Sequence, residues 1–165
     1  MLRAKTLIVS TVLNVATLLL SPGAHALLAD LENRVGSAQQ SLSLNKEQKS
    51  AICRVSLSDK AVMIASRFNI TAENQNMPII ETQIFLFDEA VTSKQQDENS
   101  LIAERRYPTS GNACVRKDGS FYPLRSMEAV QTLKIEGNQV EITESYKCGL
   151  FWLSEKVENK TTCQF

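Results

Sequence analysis

Residues 130–144 read Val130-Gln131-Thr132-Leu133-Lys134-Ile135-Glu136-Gly137-Asn138-Gln139-Val140-Glu141-Ile142-Thr143-Glu144, two alternating halves about a Gly-Asn pair. With Gly137-Asn138 as a two-residue hairpin loop, Ile135 faces Val140 and Leu133 faces Ile142, so one face is wholly apolar. The other face sets Lys134 against Glu141 and Thr132 against Thr143, each pair contributing a few tenths to about 1 kcal/mol. A slip of one residue turns both sets over at once. The segment therefore predicts an antiparallel hairpin in this register.

Period-two patterning continues outward. Val62, Ile64, Ser66, Phe68 and Ile70 alternate with Met63, Ala65, Arg67 and Asn69, the pattern of a strand with one buried face. After the turn-like Thr71 to Pro78, the stretch Ile79 to Phe87 ends in Ile84-Phe85-Leu86-Phe87, apolar on both faces, which predicts a central strand. Leu101 to Arg106 is another strand. Further hairpins are expected at Asp118-Gly119, with Val115 facing Tyr122, and at Glu158-Asn159. Before these strands, Leu28, Leu31, Val35, Ala38 and Leu42 recur at three- and four-residue steps, which predicts an N-terminal helix, and Asn45 with Gln48 resembles an N-cap. The fold expected is mostly β: an antiparallel β-barrel or sandwich of about eight strands with an N-terminal helix.

The chain start places it in a compartment. Arg3 and Lys5 precede the apolar Thr6 to Leu20, and Pro22-Gly23 leads into Ala24-His25-Ala26, the small-x-small pattern of a cleavage site. Fifteen apolar-stretch residues are too few for a spanning helix, which needs about 20. The expected organisation is a cleaved signal peptide over 1–26, a helical N-terminal segment over 27–50 and a disulfide-stapled antiparallel β domain over 51–165, in a periplasmic or secreted protein. The 139 residues after the leader carry 16 Lys and Arg against 18 Asp and Glu, a net charge near −2. That balance excludes nucleic acid as a partner, and no stable membrane insertion is expected. Cys53, Cys114, Cys148 and Cys163 are an even set in an exported chain and predict two disulfides. No C-x-x-C is among them, and spacing leaves the pairing open. Trp152 is expected to pack against the bridge that uses Cys148.

Little in the sequence supports catalysis. The one histidine, His25, lies in the leader, and there is no G-x-S-x-G or phosphate-binding glycine loop. The acidic stretch 88–98 lacks the spacing and central glycine of a calcium loop. No cofactor and no metal are expected, and the chain reads as a non-enzyme. Charge distribution is more informative. Residues 73–98 carry six acids against Lys94, whereas residues 100–127 carry five bases against Glu104 and Asp118. Arginine beside aromatic residues is a composition of interface hot spots. Arg105, Arg106, Tyr107, Arg116, Phe121, Tyr122 and Arg125 are the candidate binding surface, converging at a sheet edge on an anionic protein or ligand. The rival reading is that the two stretches neutralise each other across a hairpin.

The function expected is an exported non-catalytic binding module, of which an inhibitor or immunity-type protein is one instance. The alternative is a lipocalin-like carrier whose apolar cavity is lined by Phe68, Phe85, Phe87 or Leu133. A third reading is a carboxylate-dependent hydrolase.

Overall fold

The structure, a computed structural model, describes residues 29–32, 34–42, 47–72, 75–97, 99–109, 114–115, 121–122, 128–149 and 154–165. The expected leader, Asn45, Arg116, Arg125 and Trp152 lie outside these residues.

The hairpin at Gly137-Asn138 forms as its sequence dictates. Strands β9 (Glu128–Glu136) and β10 (Gln139–Cys148) pair with Ile135 opposite Val140, Leu133 opposite Ile142 and Thr132 opposite Thr143. All four apolar residues are completely buried. On the other face Lys134 does oppose Glu141, but its ammonium bonds Glu136 at 2.9 Å, while Glu141 takes Lys160 at 2.7 Å. The register survives because buried apolar area, at roughly 25 cal/mol per Å², outweighs one exposed ion pair.

Nearly all of the described chain is antiparallel strand. β1 (Val35–Leu42), β2 (Glu47–Ser58), β3 (Ala61–Ala72) and β4 (Gln75–Leu86) form one meander. β5 (Val91–Gln96), β6 (Ser100–Pro108), β9, β10 and β11 (Glu155–Gln164) form the other. Pairing of β1 with β11 joins them into a nine-stranded sheet of order β4-β3-β2-β1-β11-β10-β9-β6-β5. A separate two-stranded ribbon, β7 (Cys114–Val115) with β8 (Phe121–Tyr122), lies in the connection from β6 to β9.

The two outermost strands, β4 and β5, are consecutive in the chain and separated by residues 87–90 alone. In a flat sheet they would lie about 38 Å apart, eight spacings of about 4.8 Å. A link of five Cα steps spans at most about 18 Å. The sheet must therefore curl, and it does, into a half-barrel rather than a closed barrel or a two-sheet sandwich. Gln131 Nε2, reaching from β9, donates to the Ile84 carbonyl of β4 at 2.9 Å. Inside the curl pack Val55, Val62, Ile64, Phe85, Leu101, Leu133, Ile135, Val140 and Ile142.

Curvature is concentrated at β1. Cys53 on β2 and Cys163 on β11 both flank β1, facing Gly36 and Ala38 respectively. Flat geometry would hold them about 10 Å or more apart, yet their Cα atoms are 5.9 Å apart and a disulfide joins them. Gly36 lies beneath the bridge. A Cβ there would sit 2.5 Å from the Gln164 carbonyl oxygen and 3.2 Å from Cys163 Sγ. The absence of a side chain is what allows three strands to close so sharply. Cys148 is also disulfide-bonded and fully buried.

Four expectations are corrected. The N-terminal helix is not present in the described residues: Val35–Leu42 is β1, and β2 already begins at Glu47, inside the segment expected to be helical. Its inward positions are Gly36, Ala38 and Gln40, so the strand period carries no run of large apolar residues. The apolar residues spaced three or four apart supply a helical pattern that tertiary pairing overrides. β4 is an edge strand, not a central one, and its second apolar face remains open to solvent. No turn occurs at Glu158-Asn159, where β11 runs straight through, paired on both sides. In the β7–β8 ribbon Val115 faces Phe121, one residue from the expected register.

Candidate binding surface

β6 carries three of the seven residues expected at a binding surface, and strand alternation divides them. Arg105 and Tyr107 point into the curl, whereas Arg106 points out and meets Glu104 at 3.2 Å and Glu128 at 3.5 Å. The Arg105 side chain, only 10% exposed, is committed internally. Its Nη2 lies 2.6 Å from Asp88 Oδ2, its Nη1 donates to Gln131 Oε1 at 3.4 Å, and its guanidinium stacks 4.6 Å from the Tyr107 ring centroid. The Tyr107 hydroxyl donates in turn to Glu144. Asp88 sits in the link between the two edge strands, so this network ties the seam of the half-barrel. An acid from the negative stretch thus meets a base from the positive one. Phe121 and Tyr122 lie on β8, in the same connection as Arg116 and Arg125.

The convex face presents different chemistry. The large apolar side chains left exposed among the described residues are Val35, Ile52, Ile79, Ile80, Ile84 and Leu86, all on β1–β4 and all but Ile79 on this face. Pairing aligns Ile52, Arg67 and Ile80 in one row across β2, β3 and β4, and Val35, Arg54 and Ala65 in the next across β1, β2 and β3. Together they line a groove of about 240 Å³. Ile80 is 69% exposed, Val35 56% and Ile52 54%. Arg54 and Arg67 are both exposed and have no ion pair among the described residues. As diagonal neighbours on one face they stand about 7–8 Å apart, where like charges repel. The groove therefore combines apolar walls with two guanidiniums that no described acid neutralises, groups whose forked donors suit carboxylates.

Sequence reasoning did not find this groove. The alternate set Met63, Ala65, Arg67 and Asn69 read as the face opposite the buried one, yet Met63 and Ala65 are apolar, and so are Ile80, Ile84 and Leu86 beside them. That excess of apolar residues on an outward face was the available signal.

A second cavity of about 340 Å³, lined by Glu128, Val130, Ser145, Tyr146, Lys147 and Lys156, lies over β9–β11. Phe85, Phe87 and Leu133 lie in the packed core and, with the buried Phe68, line neither cavity. Among the described residues no group of three or more His, Cys, Asp or Glu side chains is arranged to hold a metal ion. The Asp97 carboxyl is held below the usual aspartate range by the Ser100 hydroxyl and then by the Asn99 backbone N–H. It caps the β5–β6 turn, with Ser100 Oγ at 2.7 Å. No protein-family model matches the chain, and no curated protein matches it.

Proposed function

We propose that this chain is an exported, non-catalytic binding module whose convex groove docks an acidic, partly apolar segment of another exported protein. The observation that carries the reading is the pair Arg54 and Arg67, exposed, adjacent and without an ion pair among the described residues, between Val35, Ile52 and Ile80. Leaving such a face bare costs both like-charge repulsion and exposed apolar area. A partner that supplies carboxylates and an apolar strip relieves both. The anionic partner expected from sequence is kept, while its contact moves from Arg105, which Asp88 already neutralises, to the β2–β3 arginines. The leader pattern Arg3, Lys5 and Ala24-His25-Ala26 supports export, and the Cys53–Cys163 bridge is consistent with an oxidising compartment. An inhibitor or immunity-type role is one instance of such a module.

The test is capture from periplasmic or secreted extract with the oxidised, leader-free protein, comparing wild type with the Arg54→Ser, Arg67→Ser double variant. One protein should be retained by wild type, released by rising salt and lost with the double variant, while Arg106→Ser retains it. Equal capture by wild type and the double variant would overturn the reading.

A further inference from the structure

The two open edges of the sheet are built differently. β5 is six residues long, carries Lys94 and is irregular in register between Val91 and Ser93, devices by which edge strands avoid pairing. β4 has twelve residues in unbroken register with β3. From Pro78 to Leu86 its single charge is Glu81. The Ile84 carbonyl leaves the β3 ladder to meet Gln131, so the even-numbered residues direct their backbone groups to the open edge. Pro78, which has no N–H, lies on that row, where its missing donor faces the edge, the position that suits proline in an edge strand. The side chains of Pro78, Ile80, Ile84 and Leu86 on this row are exposed.

That row reads nearly the same in both directions about Thr82, and the geometry points to a second copy of this chain as its occupant. Two β4 strands pair antiparallel about a two-fold axis at Thr82. Thr82 then meets Thr82, Ile80 meets Ile84 and Pro78 meets Leu86 of the second copy, an apolar match on the convex face. On the concave face Glu81 meets Gln83. Moving the axis to Glu81 would set two carboxylates face to face, which is destabilising. Moving it to Ile80 leaves Ile84 opposite Asn76. The Ile84 carbonyl keeps a second lone pair for the new ladder beside its bond from Gln131. Such a patch is self-complementary and closes at two subunits. The inference goes beyond the binding reading and does not depend on it; the two surfaces share Ile80, which walls the groove and meets Ile84 of the second copy.

Cysteine cross-linking of the oxidised, leader-free protein tests the register. A hydrogen-bonded pair places facing Cα atoms about 5.5 Å apart, within disulfide reach. Thr82→Cys should give a covalent dimer in high yield under mild oxidant, with the native bridges intact by mass spectrometry. Ile80→Cys should not, because the two Ile80 positions lie about 13 Å apart along the pair. Thr82→Lys should weaken dimerisation at least tenfold in sedimentation equilibrium. A wild-type protein that stays monomeric at millimolar concentration, or cross-linking as efficient at position 80 as at 82, would overturn the inference. Neither result touches the arginine-dependent capture.

Discussion

Arg105 shows how far a single residue can depart from what its neighbours suggest. In sequence it stands beside Arg106 and Tyr107 as one basic-aromatic cluster. In the fold one step along a strand reverses its direction, and Asp88, 17 residues away, becomes its partner. That pairing was legible as charge complementarity between two segments but not as a contact, because the face of β6 turned inward is set by β9. The physical asymmetry of the pair gives a prediction. Asp88 is 42% exposed and the Arg105 side chain 10%, so removing the acid strands a buried guanidinium, whereas removing the base frees a carboxylate already in water. Asp88→Ala should cost about 1–3 kcal/mol and Arg105→Met less, both read from urea unfolding midpoints at pH 7. At the β5–β6 turn, Asp97 should titrate below the ordinary aspartate range when followed by NMR. Because the folded value is the lower one, its stabilising contribution is complete above the unfolded value and is lost as pH falls through the folded one. An unshifted Asp97 midpoint would remove this capping interaction from the account.

Among the elements, the β9–β10 hairpin was fully legible since loop, apolar face and polar face each specify the same register. β3 was legible for its buried face, Val62, Ile64, Ser66 and Phe68. β1 was not, because a strand whose inward positions are glycine, alanine and glutamine has no apolar period to read. Its glycine is structural rather than permissive. At Gly36 an added methyl meets the Gln164 backbone 2.5 Å away, and that backbone can give way only by loosening the β1–β11 pairing. Gly36→Ala should therefore cost about 1–3 kcal/mol or more. Gly137, at φ 51° with nothing within 4 Å of where a Cβ would stand, has only a conformational reason to be glycine. Gly137→Ala should cost about 1–2 kcal/mol. Denaturant unfolding of the two variants distinguishes the steric mechanism, in which Gly36 is a sensitive site, from a purely conformational one, in which Gly36, whose φ is not positive, tolerates alanine and Gly137 alone does not.

At the scale of the molecule, strand content could be read from the chain but strand order could not. Pairing of the first strand with the last, and the resulting curl that brings the two ends of the sheet within reach of the link 87–90, are long-range choices that no local pattern encodes. The Cys53–Cys163 bridge closes a 110-residue separation across that first-to-last junction. By chain entropy its loss, as Cys53→Ala with Cys163→Ala, should lower stability by about 4 kcal/mol, seen as a lower unfolding midpoint. The same curl that hides one face of β2–β4 spreads the other outward, which is why Val35, Ile52, Ile80, Ile84 and Leu86 fall together with Arg54 and Arg67 on one convex surface. The surface is thus a product of topology, and the proposed docking is placed there rather than in the concave core. Photo-cross-linking from Ala65, in the floor of the groove, tests this claim most directly. With a photoreactive residue at position 65 in the exporting cell, a discrete adduct with a second exported protein should form and should disappear when Arg54 and Arg67 are changed to serine. An adduct that persists without the two arginines, or one that forms only from position 106 on β6, would contradict it.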